Sequence, residues 1–400
     1  MKNFITMIMM ITLCVTNAQT WTNYTAADGL IEGVISEIIQ DNDGNMWFTE
    51  WTDNLNAGIG KFDGTNWTQY DESIEGLSSN TVRALLQDSS NNFWFGTFLD
   101  EAGLVFFDGT TWITYTAMDG LLSNDILDLI EDSEGNIWIA TTEGISKFDG
   151  NSFTTILNSG CVYSIIEDTN GDFWFGTCGF GVIKYDGVNF VTYTTVDGLG
   201  TNSVFNILQD NDGNYWFGDF IDNTVGVTKF NGEDDWTIYN TEDGLVNNNV
   251  REIILDNEGN IWFGTNGGVS KFDGTTWVNY TEADGLISNF VRAITQDSDG
   301  AMWIGTFFGV SKFDATLGFE SVEFTRLKTF PNPTKGVINF EPINSNITSV
   351  KIYDLMGNLV LNKQANQVLD IDLSSLSTGI YIASIKDSEN NSEIKKIIKN

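Results

Sequence analysis

The sequence predicts an all-β protein in which a seven-bladed β-propeller, its ring closed by the N-terminal strand, precedes a small Ig-like β-sandwich. Three observations support this prediction. A phrase recurs seven times at intervals of roughly 40 residues. Each copy contains four short segments of strand character between glycine turns, which is typical of a propeller blade. All three prolines, Pro331, Pro333 and Pro342, lie near the C-terminus, and we therefore expect domains at residues 19–318 and 319–400.

The most regular copy of the repeat extends from Asn247 to Leu286. It begins with the apolar, β-branched segment VREIILD and continues through NEG, a turn whose residues tolerate positive φ. The segments NIWFGT, GVSKFDG and WVNY complete the unit. We therefore expect each copy to form one four-stranded antiparallel sheet.

The number and positions of the repeated aromatic residues indicate how many blades there are and how the ring closes. The second strand carries a tryptophan seven times, at Trp47, Trp94, Trp138, Trp174, Trp216, Trp262 and Trp303. The fourth strand also carries an aromatic residue seven times, but the first of these precedes the first complete repeat and the last repeat has none. The residues are Trp21, Trp67, Trp112, Phe153, Phe190, Trp236 and Trp277. Because the last copy lacks a fourth strand, we expect the segment Trp21–Tyr24 to complete blade seven and to remove two exposed sheet edges. These aromatics are interpreted as core packing.

Charge divides between the two predicted domains. Residues 19–318 hold 9 Lys and Arg against 46 Asp and Glu, whereas residues 319–400 hold 9 of each. A negative field of this size repels nucleic acid and anionic membrane surfaces, so nucleic acid is not an expected partner. Neutral or cationic partners are more compatible with this negative field. Alternatively, the acidic residues serve only to keep the protein soluble.

The N-terminus has the features of a secretory signal peptide. Lys2 precedes an apolar run from Phe4 to Val15, and the small residue Ala18, with Thr16 two before it, fits a cleavage site. We expect residues 1–18 to be removed. No segment reaches the roughly 18 apolar residues of a membrane-spanning helix, so no transmembrane segment is expected.

Two cysteines remain in the predicted mature chain. Cys161 and Cys178 flank the turn Asp168–Asp172 almost symmetrically, so in a hairpin they would face each other across two strands. A cross-strand disulfide in an oxidising compartment is one interpretation, and two free thiols are the other.

The repeats resemble the two-component regulator propeller repeat. The motif of GL, a V..I..D..G..W.GT core and a following GV is matched from Gly244 to Val269 and in the sister copies, over about residues 20–315. In that family the propeller is often the sensory ectodomain of a hybrid histidine kinase, and carbohydrate sensing is the implied role. No kinase follows here, so the resemblance implies recognition only.

The C-terminal segment resembles the type IX secretion sorting domain of the Bacteroidetes. The matching phrases are FPNPTKGVINFE, VKIYDLMGNLV, LSSLSTGIYIASI and the basic end KKIIKN. The resemblance implies contact of residues 319–400 with the type IX secretion machinery and export across the outer membrane. It further implies release or attachment at the cell surface, whereas an ordinary adhesive sandwich is the alternative.

Few residues point to catalysis or to a metal. The turn DNDGN, at Asp41–Asn45 and Asp210–Asn214, has calcium-loop composition without the spacing of an EF-hand, so a hairpin turn is expected and structural Ca²⁺ is the alternative. The chain has no histidine, which excludes His-based triads and the histidine chemistry of streptogramin-type lyases. No catalytic residue, other metal site or cofactor is predicted.

Loop length singles out candidate binding residues. From the second-strand tryptophan to the third-strand lysine position, blades one to seven count 14, 12, 9, 10, 13, 9 and 9 residues. The extra residues emerge on the face where propellers usually bind, and Trp51 is the one tryptophan outside the repeat positions. Blades one, two and seven are ring neighbours, which would gather Trp51, Phe98 and Phe307. The candidates in or beside these loops are Trp51, Asp53, Phe98, Asp100, Glu101, Phe180, Phe220, Asp222, Phe307 and Phe308.

Basic residues occupy fixed repeat positions. The six propeller lysines precede the third-strand aromatic and are expected to pair with turn carboxylates. Arg83, Arg251 and Arg292 share one first-strand position. First strands line the channel of a propeller, so these arginines are either structural or ligand-facing.

These features predict a secreted or surface-displayed propeller that binds an extracellular ligand. Aromatic platforms beside carboxylates suit a neutral glycan, and adjacent loop aromatics that merely cover their own loops are the alternative. Two other functions stay open. One is a carboxylate-dependent polysaccharide hydrolase or lyase, for which Asp100 and Glu101 are an adjacent acidic pair; the other is a scaffold for a protein ligand.

Overall fold

The computed structural model describes residues 20–51, 58–71, 77, 79–99, 102–219, 224–314, 327–342, 347–354, 359–364, 369–387 and 392–400. The chain divides into two compact units, Met1–Leu317 and Gly318–Asn400. The predicted signal peptide lies outside the described residues.

The first unit consists of short strands. Blades one to three contain β2 (Ile35–Gln40), β3 (Met46–Glu50), β4 (Ile59–Phe62) and β5 (Trp67–Tyr70); β6 (Val82–Gln87), β7 (Phe93–Thr97), β8 (Leu104–Phe107) and β9 (Trp112–Tyr115); β10 (Ile126–Glu131), β11 (Ile137–Thr141), β12 (Ile145–Phe148) and β13 (Phe153–Leu157). Blades four to six contain β14 (Val162–Glu167), β15 (Phe173–Thr177), β16 (Val182–Tyr185) and β17 (Phe190–Tyr193); β18 (Asn206–Gln209), β19 (Tyr215–Gly218), β20 (Val227–Phe230) and β21 (Trp236–Tyr239); β22 (Val250–Leu255), β23 (Ile261–Thr265), β24 (Gly268–Phe272) and β25 (Trp277–Tyr280). Blade seven contains β26 (Val291–Gln296), β27 (Met302–Thr306), β28 (Gly309–Asp314) and β1 (Thr20–Tyr24).

These strands form a closed ring of antiparallel sheets. The described residues of the first unit make seven four-stranded sheets, and the first strand of each contacts the first strand of the next, from β2 round to β26 and back to β2. β1 pairs with β28 over five residues, from Thr20 opposite Asp314 to Tyr24 opposite Val310. The first unit is therefore a β-propeller closed by its N-terminal strand.

Three 3-10 turns follow fourth strands of the propeller. In each, a threonine at the N-cap and an aspartate three residues later form a capping box. They span Ala26–Asp28, Ala117–Asp119 and Glu282–Asp284.

An aspartate organises the turn between the first and second strands of every blade. In blade six, Asp256 accepts hydrogen bonds from the backbone N–H of Glu258 at 3.0 Å and of Asn260 at 2.7 Å, and from the Trp262 indole at 2.8 Å. The corresponding tryptophan of each blade donates to its own turn aspartate at 2.7–2.9 Å. Because N–H donors occupy these oxygens, the DNDGN phrase is a hairpin turn.

The template lysines complete this arrangement. Lys61, Lys147, Lys271 and Lys312 each lie within 3.9 Å of the turn aspartate of their own blade. Lys184 instead contacts Asp172 at 2.7 Å. In blade five, Lys229 lies 5.2 Å from the centre of the Trp216 ring. Five of the six lysines thus make ion pairs with turn carboxylates.

Adjacent blades pack closely at the glycine of the second strand. A Cβ added at Gly264 would lie 2.8 Å from Val291 Cγ1, and one at Gly305 would lie 2.7 Å from Ile35 Cγ2. Glycine at this position therefore allows the first strand of the next blade to approach the sheet. Buried tryptophans such as Trp262 fill the space between neighbouring sheets.

The second unit contains two antiparallel sheets around one apolar core. The three-stranded sheet has the order β29-β30-β33 and the four-stranded sheet the order β32-β31-β34-β35. The core takes side chains from both sheets, including Ile338, Phe340, Val350 and Ile385. Its strands are β29 (Leu327–Phe330), β30 (Val337–Pro342), β31 (Ile347–Tyr353), β32 (Leu359–Gln364), β33 (Leu369–Asp372), β34 (Gly379–Asp387) and β35 (Ser392–Lys399).

Candidate functional site: the mouth of the central channel

A β-bulge at the start of the first strand shapes the channel wall. In blade one, Ile35 pairs with Glu50 and Glu37 pairs with Thr49, so Ser36 is an extra residue on its strand. The same register shift occurs in blades two, three, four, six and seven. A bulge changes where a side chain points, and here both the bulged residue and the one after it line the same cavity. The first strands of blades one, three, four and six thus each contribute two successive side chains to the channel.

The bulged position forms the outer layer of the channel. First strands begin opposite the ends of second strands, so this layer lies nearest the loops that join strands two and three. Its members are Ser36, Arg83, Leu127, Tyr163, Arg251 and Arg292, together with Phe205 at the corresponding position of blade five. All three arginines that the sequence indicates therefore face the channel.

Aromatic rings surround two of these arginines. The guanidinium carbon of Arg83 lies 5.6 Å from the ring centre of Trp51 and 5.3 Å from that of Phe98. It lies 5.6 Å from Tyr163 and 5.4 Å from Phe205. These distances are within the range of cation–π attraction, so the aromatic rings hold Arg83 at the channel mouth.

Trp51 links the loops of three blades. Its ring lies 6.2 Å from that of Phe98 in an edge-to-face arrangement. The Arg292 guanidinium lies 4.6 Å from the Trp51 ring and 4.9 Å from the Phe307 ring. The structure thus brings Trp51, Phe98 and Phe307 together. With the three arginines they are called the mouth cluster below: Trp51, Phe98, Phe307, Arg83, Arg251 and Arg292.

Carboxyl groups line the next layer, one residue deeper. Burial, and then the nearby Asp128 carboxyl, raises the pKa of Glu37 to about 8. Burial raises the pKa of Asp128 to about 6. Burial, Glu37 and Asp128 raise the pKa of Glu252 well above its ordinary value. Glu37, Asp128 and Glu252 are called the acid layer below.

Hydrogen bonds hold parts of the acid layer in place. The backbone N–H groups of Ile165 and Leu129 donate to Asp128, both at 2.8 Å. The Asn206 amide donates to Glu252 Oε1 at 3.0 Å. These bonds favour the ionised form and oppose the effect of burial.

The arginines keep their charge despite burial. Burial lowers the pKa of Arg83 and Arg251 to about 10 and that of Arg292 to about 9. All three values lie above neutral pH. Around pH 7 the three arginines of the mouth cluster are therefore charged.

Two cavities open at this site. One of about 170 Å³ touches both layers. The second, of about 340 Å³, is lined by Trp51, Phe98 and residues of the outer layer. The larger volume falls within the range of small-ligand pockets.

Other sequence candidates lie elsewhere. The Phe180 and Phe308 side chains are 60% and 69% exposed, and neither lines these cavities. Cys161 and Cys178 form a disulfide with their Cα atoms 5.5 Å apart, and Cys161 lies at the edge of the larger cavity. The remaining candidates lie outside the described residues: Asp53, Asp100, Glu101, Phe220 and Asp222.

Sequence reasoning missed the acid layer and the two aromatics beside Arg83. One signal was available, because Glu37, Asp128 and Glu252 share one repeat position that is alanine in blades two and seven. Carboxylates at an inward-facing position of a β-domain are costly to bury. The alternation of a regular strand, however, places that position on the opposite side from the arginines.

Two family models match this chain. The two component regulator propeller model matches residues 76–98, 120–143, 156–179, 198–220, 244–267 and 285–308. The secretion system C-terminal sorting domain matches residues 328–400. The chain is a two-component regulator propeller protein with a C-terminal secretion sorting domain. As such a protein it is secreted or carried at the cell surface, and its sorting domain implies interaction with the type IX secretion machinery.

The matched segments of this two-component regulator propeller protein contain the first two strands of blades two to seven. Blade one has the same four strands although the family model does not match it. The described residues contain no helix with the length and apolar character of a membrane span. Among them, no cluster of three or more Cys, Asp or Glu side chains is arranged to hold a metal ion.

Solved structures share the fold at low sequence identity. The extracellular domain of a hybrid two component system from B. thetaiotaomicron is 20% identical, with a TM-score of 0.63 over 95% of this chain and 57% of its own. PorZ, a surface component of the type-IX secretion system of Porphyromonas gingivalis, is 17% identical, with a TM-score of 0.58 over 92% of this chain and 60% of its own. This chain thus spans less than two thirds of either relative.

A smaller protein shows the same propeller alone. Virginiamycin B lyase from Staphylococcus aureus is 17% identical, with a TM-score of 0.58 over 74% of this chain and 98% of its own. At these identities the likeness concerns the fold. No curated protein sequence matches the chain.

The raised pKa of Glu37 leads to a prediction about stability. An unfolded chain releases this proton near the ordinary pKa, so ionisation disfavours folding as the pH rises from about 4 towards 8. We expect Glu37→Gln to raise the free energy of unfolding by about 1–3 kcal/mol at about pH 9 and to change it much less at about pH 5. Urea denaturation at the two pH values measures the difference.

The matched control is Glu258→Gln, which changes a carboxylate whose side chain is 78% exposed. This variant should follow the wild-type protein at both pH values. An identical pH dependence for the Glu37→Gln and wild-type proteins would contradict the prediction.

Proposed function

We propose that this two-component regulator propeller protein is an extracellular binding module that recognises a glycan at the mouth cluster. One observation carries the proposal: Trp51, Phe98 and Phe307 converge with arginine N–H donors beside a cavity of about 340 Å³. Sugar rings present apolar C–H faces that pack on aromatic rings, and hydroxyl groups that need hydrogen-bond partners. The mouth cluster offers both within one opening, as ligand pockets commonly do.

The position of the cluster supports the same function. The first strands hold the arginines, and the ends of the second strands hold Trp51 and Phe98, whose backbone N–H groups donate to Val34 and Thr81. Binding residues whose backbone is anchored at the end of a rigid strand keep their geometry without a large ordering cost. The family's sorting domain takes the propeller to an environment in which glycans are available.

Trp51 is expected to supply the main stacking surface. We expect Trp51→Ala to weaken glycan binding by about 10- to 30-fold, measured by titration calorimetry with a ligand found on a glycan array. Phe308→Ala is the matched control, because Phe308 is a loop aromatic outside the mouth cluster. The proposal fails if the Trp51→Ala protein binds as tightly as wild type while both unfold at the same temperature.

The acid layer favours a second candidate function, polysaccharide hydrolysis or elimination. Glu37 and Asp128 line one cavity, and their pKa values of about 8 and 6 differ in the way that an acid and base pair requires. Catalysis would be established if the protein released reducing ends or unsaturated product from a bound polysaccharide and if Glu37→Gln abolished this release. Binding without turnover would leave recognition as the function.

A further inference from the structure

Two guanidinium groups of the mouth cluster have unused hydrogen-bond donors. Among the described residues, Arg83 and Arg292 have no hydrogen-bond or ion-pair partner, and Arg292 Nε is buried without one. By contrast, Arg251 Nε donates to Asn266 Oδ1 at 2.9 Å. A buried charged donor without an acceptor is costly. A ligand that brings acceptors would remove that cost.

The surroundings of these two groups select the charge of the ligand. Arg83 and Arg292 place positive charge 4.6–5.6 Å from the ring centres of Trp51, Phe98 and Phe307. A cationic ligand would therefore be repelled by the two guanidinium groups, whereas an anionic group would be attracted. A guanidinium donates its hydrogen bonds in its own plane, so contact with a ring leaves the donors free for a carboxylate.

The acid layer attracts Arg83 without pairing with it: burial lowers the pKa of Arg83, whereas the nearby Asp128 and Glu37 raise it. None of its carboxylates lies within ion-pair distance of Arg83 or Arg292 among the described residues. Burial also raises the pKa of Glu37 and of Glu252, which disfavours their charged forms. Among the described residues, the mouth cluster thus carries only positive charges, although the propeller sequence holds 9 basic residues against 46 acidic ones.

The charge of the whole propeller limits how many anionic groups the ligand carries. A polyanion such as nucleic acid would experience the negative field along its full length. A ligand with a single carboxylate on an otherwise neutral chain would experience this repulsion at one group only. That group would also lie in direct contact with the arginines. A sparsely charged ligand therefore fits both the local and the overall charge.

We infer that the mouth cluster binds an oligosaccharide that carries a carboxylate, as uronic acids do. Arg83 and Arg292 donate hydrogen bonds to the carboxylate, and Trp51 supplies the stacking surface. This inference rests on the proposed function and names the ligand class of the same site. It replaces the expectation of a neutral or cationic partner that followed from net charge.

Matched oligosaccharides test the inference with the full-length protein. The pairs are an oligosaccharide with a single uronic acid unit and its methyl ester, and a xylo-oligosaccharide with and without a glucuronic acid branch, within a wider panel of neutral glycans. We expect the acidic member of a bound pair to bind at least about 30-fold more tightly, since a buried charge pair of this kind is worth a few kcal/mol. Arg292→Gln should remove that preference, and Arg292→Lys, which keeps the charge, should restore part of it.

The control Lys351→Gln removes an exposed positive charge from the second unit and should leave binding unchanged. Equal affinity for both members of a pair would overturn the inference but leave glycan recognition intact. An acidic preference that survives Arg292→Gln would place the carboxylate elsewhere and would also overturn it. Binding to no member of the panel would overturn the proposed function and the inference together.

Discussion

Removal of β1 is expected to reduce the free energy of unfolding by about 5 kcal/mol or more, the largest effect predicted for this protein. β1 supplies the outer strand of blade seven through its pairing with β28. Trp21 packs 4.7 Å from Phe313, and Tyr24 stacks on Trp303 at 5.6 Å. A chain that begins at Thr25 would leave β28 as an exposed edge and uncover these aromatic rings.

Urea denaturation of the mature and truncated chains measures this effect. A synthetic peptide of residues 19–25, added in excess, should restore part of the loss because it can pair with the open edge of β28. Thr22→Ala is the matched control, since Thr22 is exposed on the same strand. Unfolding curves that superimpose for the two chains would show that closure by β1 does not stabilise the ring.

Asp256→Ala is expected to cost about 2–4 kcal/mol of stability. The substitution leaves the buried Trp262 indole N–H and the turn N–H groups without their acceptor, and it leaves Lys271, 3.5 Å away, without its buried partner. Burial raises the pKa of Asp256, but the hydrogen bonds from Trp262 and Asn260 outweigh it and lower the pKa overall.

The sign of the pH dependence follows from this lowered pKa. The stability that Asp256 contributes is present above the ordinary aspartate pKa of about 4, and it is lost as the pH falls through the lower value in the folded protein. The difference between the Asp256→Ala and wild-type proteins should therefore shrink in acid. Glu258→Gln, in the same turn but exposed, is the control. A constant difference between about pH 7 and pH 2 would contradict this account.

Most of the fold could be predicted from local signals. The Asp-Gly turns, the seven second-strand tryptophans and the displaced aromatic of β1 each report on contacts within one sheet, and the strand order agrees with the prediction. The paired role of the lysines followed for the same reason, since each acts within its own blade. Because the repeat occurs seven times, the same local signal could be recognised in each copy.

The site was predicted only in part. Loop length drew attention to Trp51, Phe98 and Phe307, because an insertion interrupts the repeat and can be counted. Glu37 and Asp128 leave the length of the repeat unchanged, so no insertion marks them. In a regular strand their side chains would also point away from the arginines. The bulge at Ser36 and its equivalents changes that geometry through a shift of one residue in pairing.

The amino-acid sequence by itself determined the repeat, the closure of the ring and the C-terminal sorting domain, because each depends on neighbours along the chain or on a motif read directly. Only the tertiary structure decided that Arg83 and Arg292 share the channel mouth with Trp51, above buried carboxyl groups. These residues come from blades one, two and seven, which are distant in sequence and adjacent in the ring. Their charges and pKa values depend on burial and distance, which exist only once the ring has closed.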